Sequence, residues 1–167
     1  MAVEIERKFL LEGDAWRADV SHSELMAQGY LAGPPGAHCS VRVRIVGERA
    51  FLNIKSLASG IARDEYEYAI PLDDAQRMLA TLAGDMVEKQ RHYVQVEGHL
   101  FEIDEFRGAN AGLVVAELEL DRIDAVFPQP SWLGLDVSSL ARYYNLKLAE
   151  RPYSQWSETE RSGIDAG

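Results

Sequence analysis

The sequence predicts a mainly antiparallel β fold of the α+β class, an eight-stranded sheet large enough to close into a barrel, with a few helices outside it. Three observations predict it. Polar and apolar residues alternate at period two in eight segments, several connections between them are short and built from turn residues, and helical spacing occurs in only two places. No repeat, low-complexity tract or Pro/Ser-rich linker divides the 167 residues, so one domain over 1–150 followed by a polar tail over 151–167 is expected. That length can bury a core without a disulfide or a structural metal.

In chain order the alternating segments are residues 3–11, 26–32, 41–46, 51–56, 63–70, 87–96, 99–106 and 113–121. Gly47 with Glu48, Ser59 with Gly60, Glu97 with Gly98, and the stretch from Gly108 to Gly112 supply turns, and turns this short join antiparallel neighbours. Leu72, Ala75, Met78, Leu79 and Leu82 share a helical face, with Asp73 or Asp74 as the expected N-cap and Gly84 as the stop. A second helix is expected within 133–144.

With 27 acidic and 17 basic residues the formal charge is −10, so the molecule as a whole repels nucleic acid and anionic membranes, and any basic site must be local. The single cysteine, Cys39, has no internal disulfide partner and no zinc-type spacing around it, and reads as an inert thiol in a reducing cytoplasm. The opening Met1-Ala2-Val3-Glu4 lacks a signal-peptide pattern, and no segment has the apolar length to span a bilayer. A homodimer is left open.

Residues i, i+2 and i+4 of a strand project to one side, and on that rule the charges sort themselves. Glu4, Glu6 and Lys8 share a face; so do Arg42 and Arg44; Arg63, Glu65 and Glu67; Lys89 and Arg91; Glu102 and Asp104; Glu117 and Glu119; Lys55 stands on the fourth strand. The intervening positions are often apolar, as in Ile5 and Phe9, Val41, Val43 and Ile45, or Ala116, Leu118 and Leu120. A solvated outer face explains any one of these strands. The set resists that explanation, because like charges recur at i, i+2, about 7 Å apart, where they repel by roughly 2 kcal/mol at an effective dielectric near 20 and less where water screens them. If the sheet closes with these faces inward, its interior holds clustered carboxylates suited to hard cations such as Mg²⁺ or Mn²⁺, and clustered Arg and Lys suited to phosphates. A site holding both belongs to a metal-bound polyphosphate.

Glu4-Ile5-Glu6-Arg7-Lys8 resembles the N-terminal Glu-x-Glu-x-Lys signature of the CYTH superfamily, the triphosphate tunnel metalloenzymes. It is followed in order by Val41-Arg42-Val43-Arg44, Lys55, Arg63-Asp64-Glu65-Tyr66-Glu67, Lys89-Gln90-Arg91, Glu102-Ile103-Asp104 and Glu117-Leu118-Glu119, covering roughly 1–150. The resemblance implies a closed eight-stranded tunnel that binds a triphosphate and directs water onto a terminal phosphorus with the help of metal. It implies phosphate-gripping roles for Lys8, Arg42, Arg44, Lys55, Lys89 and Arg91, joined by Arg63 in the substrate set. It implies metal-binding and water-activating roles for Glu4, Glu6, Asp104, Glu117 and Glu119, with Glu65 and Glu67 as ligands or as partners of the bases. Gln28-Gly29-Tyr30-Leu31 is also similar to a family segment, in which the tyrosine hydroxyl neighbours the signature lysine, which would place Tyr30 with Glu4, Glu6 and Lys8 at the chemistry. The run Arg142-Tyr143-Tyr144-Asn145 is similar to the C-terminal helix that closes one mouth, where Lys147 has two readings, one reaching inward and the other, preferred, solvated.

The Glu-Ile-Glu-Arg-Lys-Phe-Leu opening and compact length resemble the short bacterial inorganic triphosphatases of the family, which implies hydrolysis of tripolyphosphate to pyrophosphate and phosphate, with Mg²⁺ or Mn²⁺ as cofactor. The same tunnel in relatives forms cyclic AMP from ATP or hydrolyses thiamine or nucleoside triphosphates. A reading from another class is a non-catalytic polyphosphate- or nucleotide-binding module, though binding alone needs fewer carboxylates. Gly33-Pro34-Pro35-Gly36 is a turn and not a phosphate loop, since no Gly-Lys-Ser/Thr follows. His22, His38, His92 and His99 are scattered, with His92 on the opposite face from Lys89 and Arg91.

Overall fold

The described residues, 2–32, 36–57 and 61–164 of a computed structural model, form nine strands of one antiparallel sheet. The elements are β1 (Ala2–Leu11), β2 (Val20–Ala32), β3 (Cys39–Val46), β4 (Arg49–Ser56), β5 (Ala62–Ile70), α1 (Leu72–Thr81), β6 (Met86–Val96), β7 (His99–Phe106), β8 (Val114–Glu119), β9 (Leu133–Asp136), α2 (Asn145–Glu150) and α3 (Glu158–Arg161). The order β5-β4-β3-β2-β6-β7-β8-β1 closes into a barrel because β1 pairs with β8 through Glu6–Leu10 and with β5 through Ala2–Ile5. Strand β9 then joins β1 at Phe9 and Leu11. At the β6–β7 turn Glu97 (φ 48°) and Gly98 (φ 82°) are both left-handed, as a two-residue hairpin that follows the strand twist requires.

The barrel is apolar outside and polar within. Phe9, Val94, Phe101, Ile103, Ala116 and Leu118 point outward from β1, β6, β7 and β8 and are buried under Trp16, Leu120 and Trp132. On the other side Val43 and Ala50 lie beneath Ala75 and Leu79 of α1. Gly29 of β2 belongs to that contact: a Cβ there would stand 2.8 Å from the Ala83 Cβ, so only glycine lets the helix lie this close. One end of the interior is itself apolar, where Val87, Phe106 and Val115 pack against Val137, Tyr143, Leu148 and Trp156. The C-terminal segment thus closes that end.

Several boundaries differ from the sequence expectations. Strand β2 begins at Val20, earlier than 26, its first residues being exposed and lacking an apolar stripe. The stretch expected to hold a helix within 133–144 supplies β9 and a 3-10 turn, Ala141–Tyr143, and the helix follows as α2; Leu133 and Leu135 alternate, and the edge of β1 is there to receive them. The N-cap of α1 is Pro71 with no side-chain cap, while Asp73 and Asp74 sit in the first turn, where the helix dipole favours acids. In the segment read as a polar tail, Trp156 is buried against Tyr143 and α3 carries a Ser157–Glu160 capping box. The expected turns at Ser59-Gly60 and Gly33-Pro34-Pro35 lie outside the described residues. No helix among the described residues is long and apolar enough to cross a membrane.

Candidate active site: a charged cavity inside the barrel

Closing the sheet with its charged rows inward creates a cavity of about 1320 Å³. Glu4, Glu6, Lys8, Tyr30, Arg42, Arg44, Lys55, Arg63, Glu65, Glu67, Lys89, Arg91, Glu117 and Glu119 all line it. Asp104 does not. It is on the same inner face but fully buried, with its oxygens taken by Lys89 and Arg91.

The wall formed by β1, β6, β7 and β8 is a continuous ion-pair network. Strand register sets Lys8 opposite Glu117 and Arg91 opposite Asp104. The Lys8 ammonium donates to Glu6 and Glu117, both at 2.6 Å. Arg91 donates to both oxygens of Asp104 at 2.7 and 2.8 Å, to Glu117 at 2.6 Å, and to Glu102. Lys89 donates to Asp104 and, at 3.3 Å, to Asn145 of α2. Burial alone would lower the Lys8 pKa, but Glu117 and Glu6 outweigh it and raise it, so this ammonium stays charged at any working pH. Burial likewise opposes ionisation of Glu117, yet Lys8 and Arg91 hold its carboxyl well below the usual range. For Lys89 burial wins and lowers the pKa despite Asp104.

The wall formed by β3, β4 and β5 is less complete. Arg42 approaches Glu65 only to 3.8 Å, Arg44 donates to Glu67 at 2.7 Å, and Lys55 pairs with Glu4. Asn53, in register with both Arg42 and Glu67, donates to Glu65 at 3.1 Å and Glu67 at 2.7 Å. The Arg63 guanidinium lies 4.1 Å from the centre of the Tyr144 ring, a cation–π contact that ties the cavity to the C-terminal segment. The Nε atoms of Arg42 and Arg44 are buried without a hydrogen-bond partner among the described residues. Burial, then the neighbouring Arg42 and Arg91 cations, push Arg44 below its ordinary pKa. A cation so placed gains most from an arriving anion. Beside this wall, burial raises the Tyr30 phenol against the pull of Arg42 and Lys8, so its hydroxyl remains a donor.

Glu4 and Glu6 flank Glu119, whose carboxyl is raised first by burial and then by Glu4 and Glu6, with Asp121 adding to them. This is an excess of negative charge made of oxygen donors alone, a chemistry that fits a hard divalent cation. No three such groups among the described residues stand within range of one ion. Glu4 and Glu6 are instead turned toward Lys55 and Lys8.

Asn53, Tyr144 and Asn145 enter the site without having stood out as site residues in the sequence. Asn53 had a signal, since it shares the inward parity of Lys55 on β4. Glu102 was placed inward but given no role, and it lines the cavity as a partner of Arg91. Lys147 also lines the cavity while pairing with Glu150 at 2.7 Å. Outward-facing groups stay out of it: Arg7 pairs with Asp136, and His92 contacts Ser23 and Glu105, each at 2.7 Å.

Three comparisons place this geometry. The family model described as the CYTH domain matches residues 2–153. The chain is 41% identical over 159 residues to an inorganic triphosphatase of Acetivibrio thermocellus, covering 95% of this chain and all of that one. It is 35% identical over 149 residues to an inorganic triphosphatase of Nitrosomonas europaea, covering 87% and 96%. A crystal structure of an inorganic triphosphatase superposes with a TM-score of 0.64 at 34% identity, over 89% of this chain and 95% of that one.

Proposed function

This chain belongs to the CYTH domain family, and from that premise we propose that it is a metal-dependent inorganic triphosphatase, hydrolysing tripolyphosphate to pyrophosphate and phosphate. The observation that carries the reading is the unequal pairing of the two walls: basic side chains with incomplete partners face an acid cluster across one cavity.

Arg42, Arg44, Lys55 and Arg63 grip phosphate oxygens from one wall, and Lys8, Lys89 and Arg91 from the other. Because Lys8 is held protonated, it serves as a charge donor to the phosphate and never as a base. Tyr30 donates its hydroxyl to a substrate oxygen beside it. Mg²⁺ or Mn²⁺, held by Glu4, Glu6 and Glu119 with Glu117 at the border of the two sets, would supply charge neutralisation and Lewis acidity at the attacked phosphorus. A carboxylate of this acid cluster that is not engaged by the metal takes the proton from the attacking water. The water oxygen bonds to the terminal phosphorus as the bond to the bridging oxygen breaks, and pyrophosphate departs as the leaving group. Glu65 and Glu67 hold Arg42, Arg44 and Asn53 in register until substrate arrives. We place the protein in the cytoplasm, in keeping with its free Cys39.

The test is phosphate release from tripolyphosphate, ATP and thiamine triphosphate, each with Mg²⁺ and with Mn²⁺, plus a cyclic AMP assay on the ATP sample. Fast release from tripolyphosphate, well above the organic triphosphates, is expected. Cyclic AMP formation would move the chain to cyclase chemistry, and tight binding without turnover would make it a binding module.

A further inference from the structure

Gln28 is fully buried on β2, and neither its carbonyl oxygen nor its amide nitrogen has a hydrogen-bond partner among the described residues. Its direction follows from its neighbours. Gly29 faces outward against α1, and Tyr30 lines the cavity, so Gln28 projects to the inner side of the sheet. Its register partner on β3 is Arg44. On β6 it is opposite Val87, one inward position from Lys89.

A buried amide that satisfies none of its donors or acceptors opposes folding, and an apolar side chain of the same size would suit the position better on stability grounds. Three further orphans lie on the adjoining wall: Nε of Arg42, Nε of Arg44 and Oδ1 of Asn53. An unpaired acceptor in register with an unpaired guanidinium donor is a hydrogen bond waiting for a small rearrangement. In the present arrangement Arg44 points its Nη2 at Glu67. We infer that Gln28 is a positioning residue: when Arg44 leaves Glu67 for the triphosphate, the Gln28 carbonyl accepts from Arg44 Nε and fixes the guanidinium fork toward the phosphate. This rests on the triphosphate reading of the cavity.

The decisive experiment is a double-mutant cycle with tripolyphosphate and Mn²⁺. Gln28→Leu should keep or raise the melting temperature and raise KM about tenfold with kcat little changed, the scale of one hydrogen bond to a charged group. In an Arg44→Ala background the same substitution should add nothing further. Gln28→Glu offers a second route, because a carboxylate would pair with Arg44 and raise KM more than Leu does. An unchanged KM in Gln28→Leu, or full additivity with Arg44→Ala, overturns the inference. If Gln28→Leu fails to fold, Gln28→Glu with Arg44→Ala completes the same cycle, and additivity there overturns it equally. Failure of the wild-type protein to hydrolyse tripolyphosphate would sink the functional reading instead, which separates the two.

Discussion

The two walls of the cavity use the same residue types to opposite ends. Along β1, β6, β7 and β8 each base meets at least one carboxylate, and Asp104 and Glu117 are shared between bases. Along β3, β4 and β5, Arg42 and Arg44 keep unpaired Nε atoms, and one pair is stretched to 3.8 Å. Buried ion pairs stabilise only when every partner is in place, since their desolvation is costly. The first wall therefore holds a fixed electrostatic frame, and the second keeps capacity for an anion. Breaking the frame should affect fold and chemistry together; altering the second wall should affect binding.

The largest effect is expected at Glu117, which accepts from both Lys8 and Arg91. Glu117→Gln should lower kcat by about 100-fold or more, the scale for removing one preorganised charge-positioning group. Phosphate release under saturating tripolyphosphate checks this, with circular dichroism to confirm the strands. Unchanged turnover would remove Glu117 from the chemistry.

Asp104 sharpens the comparison because it belongs to the frame without reaching the cavity. Asp104→Asn leaves Lys89 and Arg91 undercompensated, and loss of a buried charge partner should cost about 3 kcal/mol. A drop of roughly 10 °C in melting temperature follows for a chain of this size. Added Mn²⁺ should raise the melting temperature of wild type and variant equally; a gain confined to wild type would make Asp104 a metal ligand.

That distinction also marks how far the sequence could be read. Parity along each strand assigns a side chain to a face, and it put the charged residues of seven of the eight barrel strands inward, β2 having none in its predicted span. Parity carries no depth, so Asp104 read as one more cavity acid when it is fully buried against Lys89 and Arg91. Gln28 and Asn53 escaped because one neutral polar residue on an inward face makes no charge pattern. Strand β9 escaped because four residues are too few to show a period, and its pairing depends on an edge of β1 that exists only once the barrel closes. Trp156 was hidden in a polar stretch, its burial supplied by Tyr143 and Val137 from distant sequence.

On the second wall, Arg44→Ala should raise KM for tripolyphosphate by about tenfold to a hundredfold, the cost of one or more charge-assisted phosphate contacts. Its kcat should change much less, since Arg44 binds ground state and transition state alike. A fall in kcat at unchanged KM would place Arg44 at the reacting phosphorus and reverse the division of labour between the walls.

The smallest effect belongs to a charge on the same strand as Lys8 but facing out. Arg7 pairs with Asp136 at the surface and lies over the Phe9 and Phe127 rings. Arg7→Ala should leave KM and kcat unchanged and cost at most about 1 kcal/mol of stability, the usual ceiling for an exposed pair. Burial alone would raise Asp136, but hydrogen bonds from Ser138 and the Arg7 pair hold it below its ordinary pKa. A lowered carboxyl adds stability above its unfolded pKa, and that contribution is lost as the pH falls through the folded value. The gap between wild type and Arg7→Ala should therefore be full at neutral pH and narrow in acid, as urea titrations from neutral pH down to about pH 3, past the unfolded Asp value, can measure. A rise in KM like that of Arg44→Ala would show that facing inward is not what separates the two arginines.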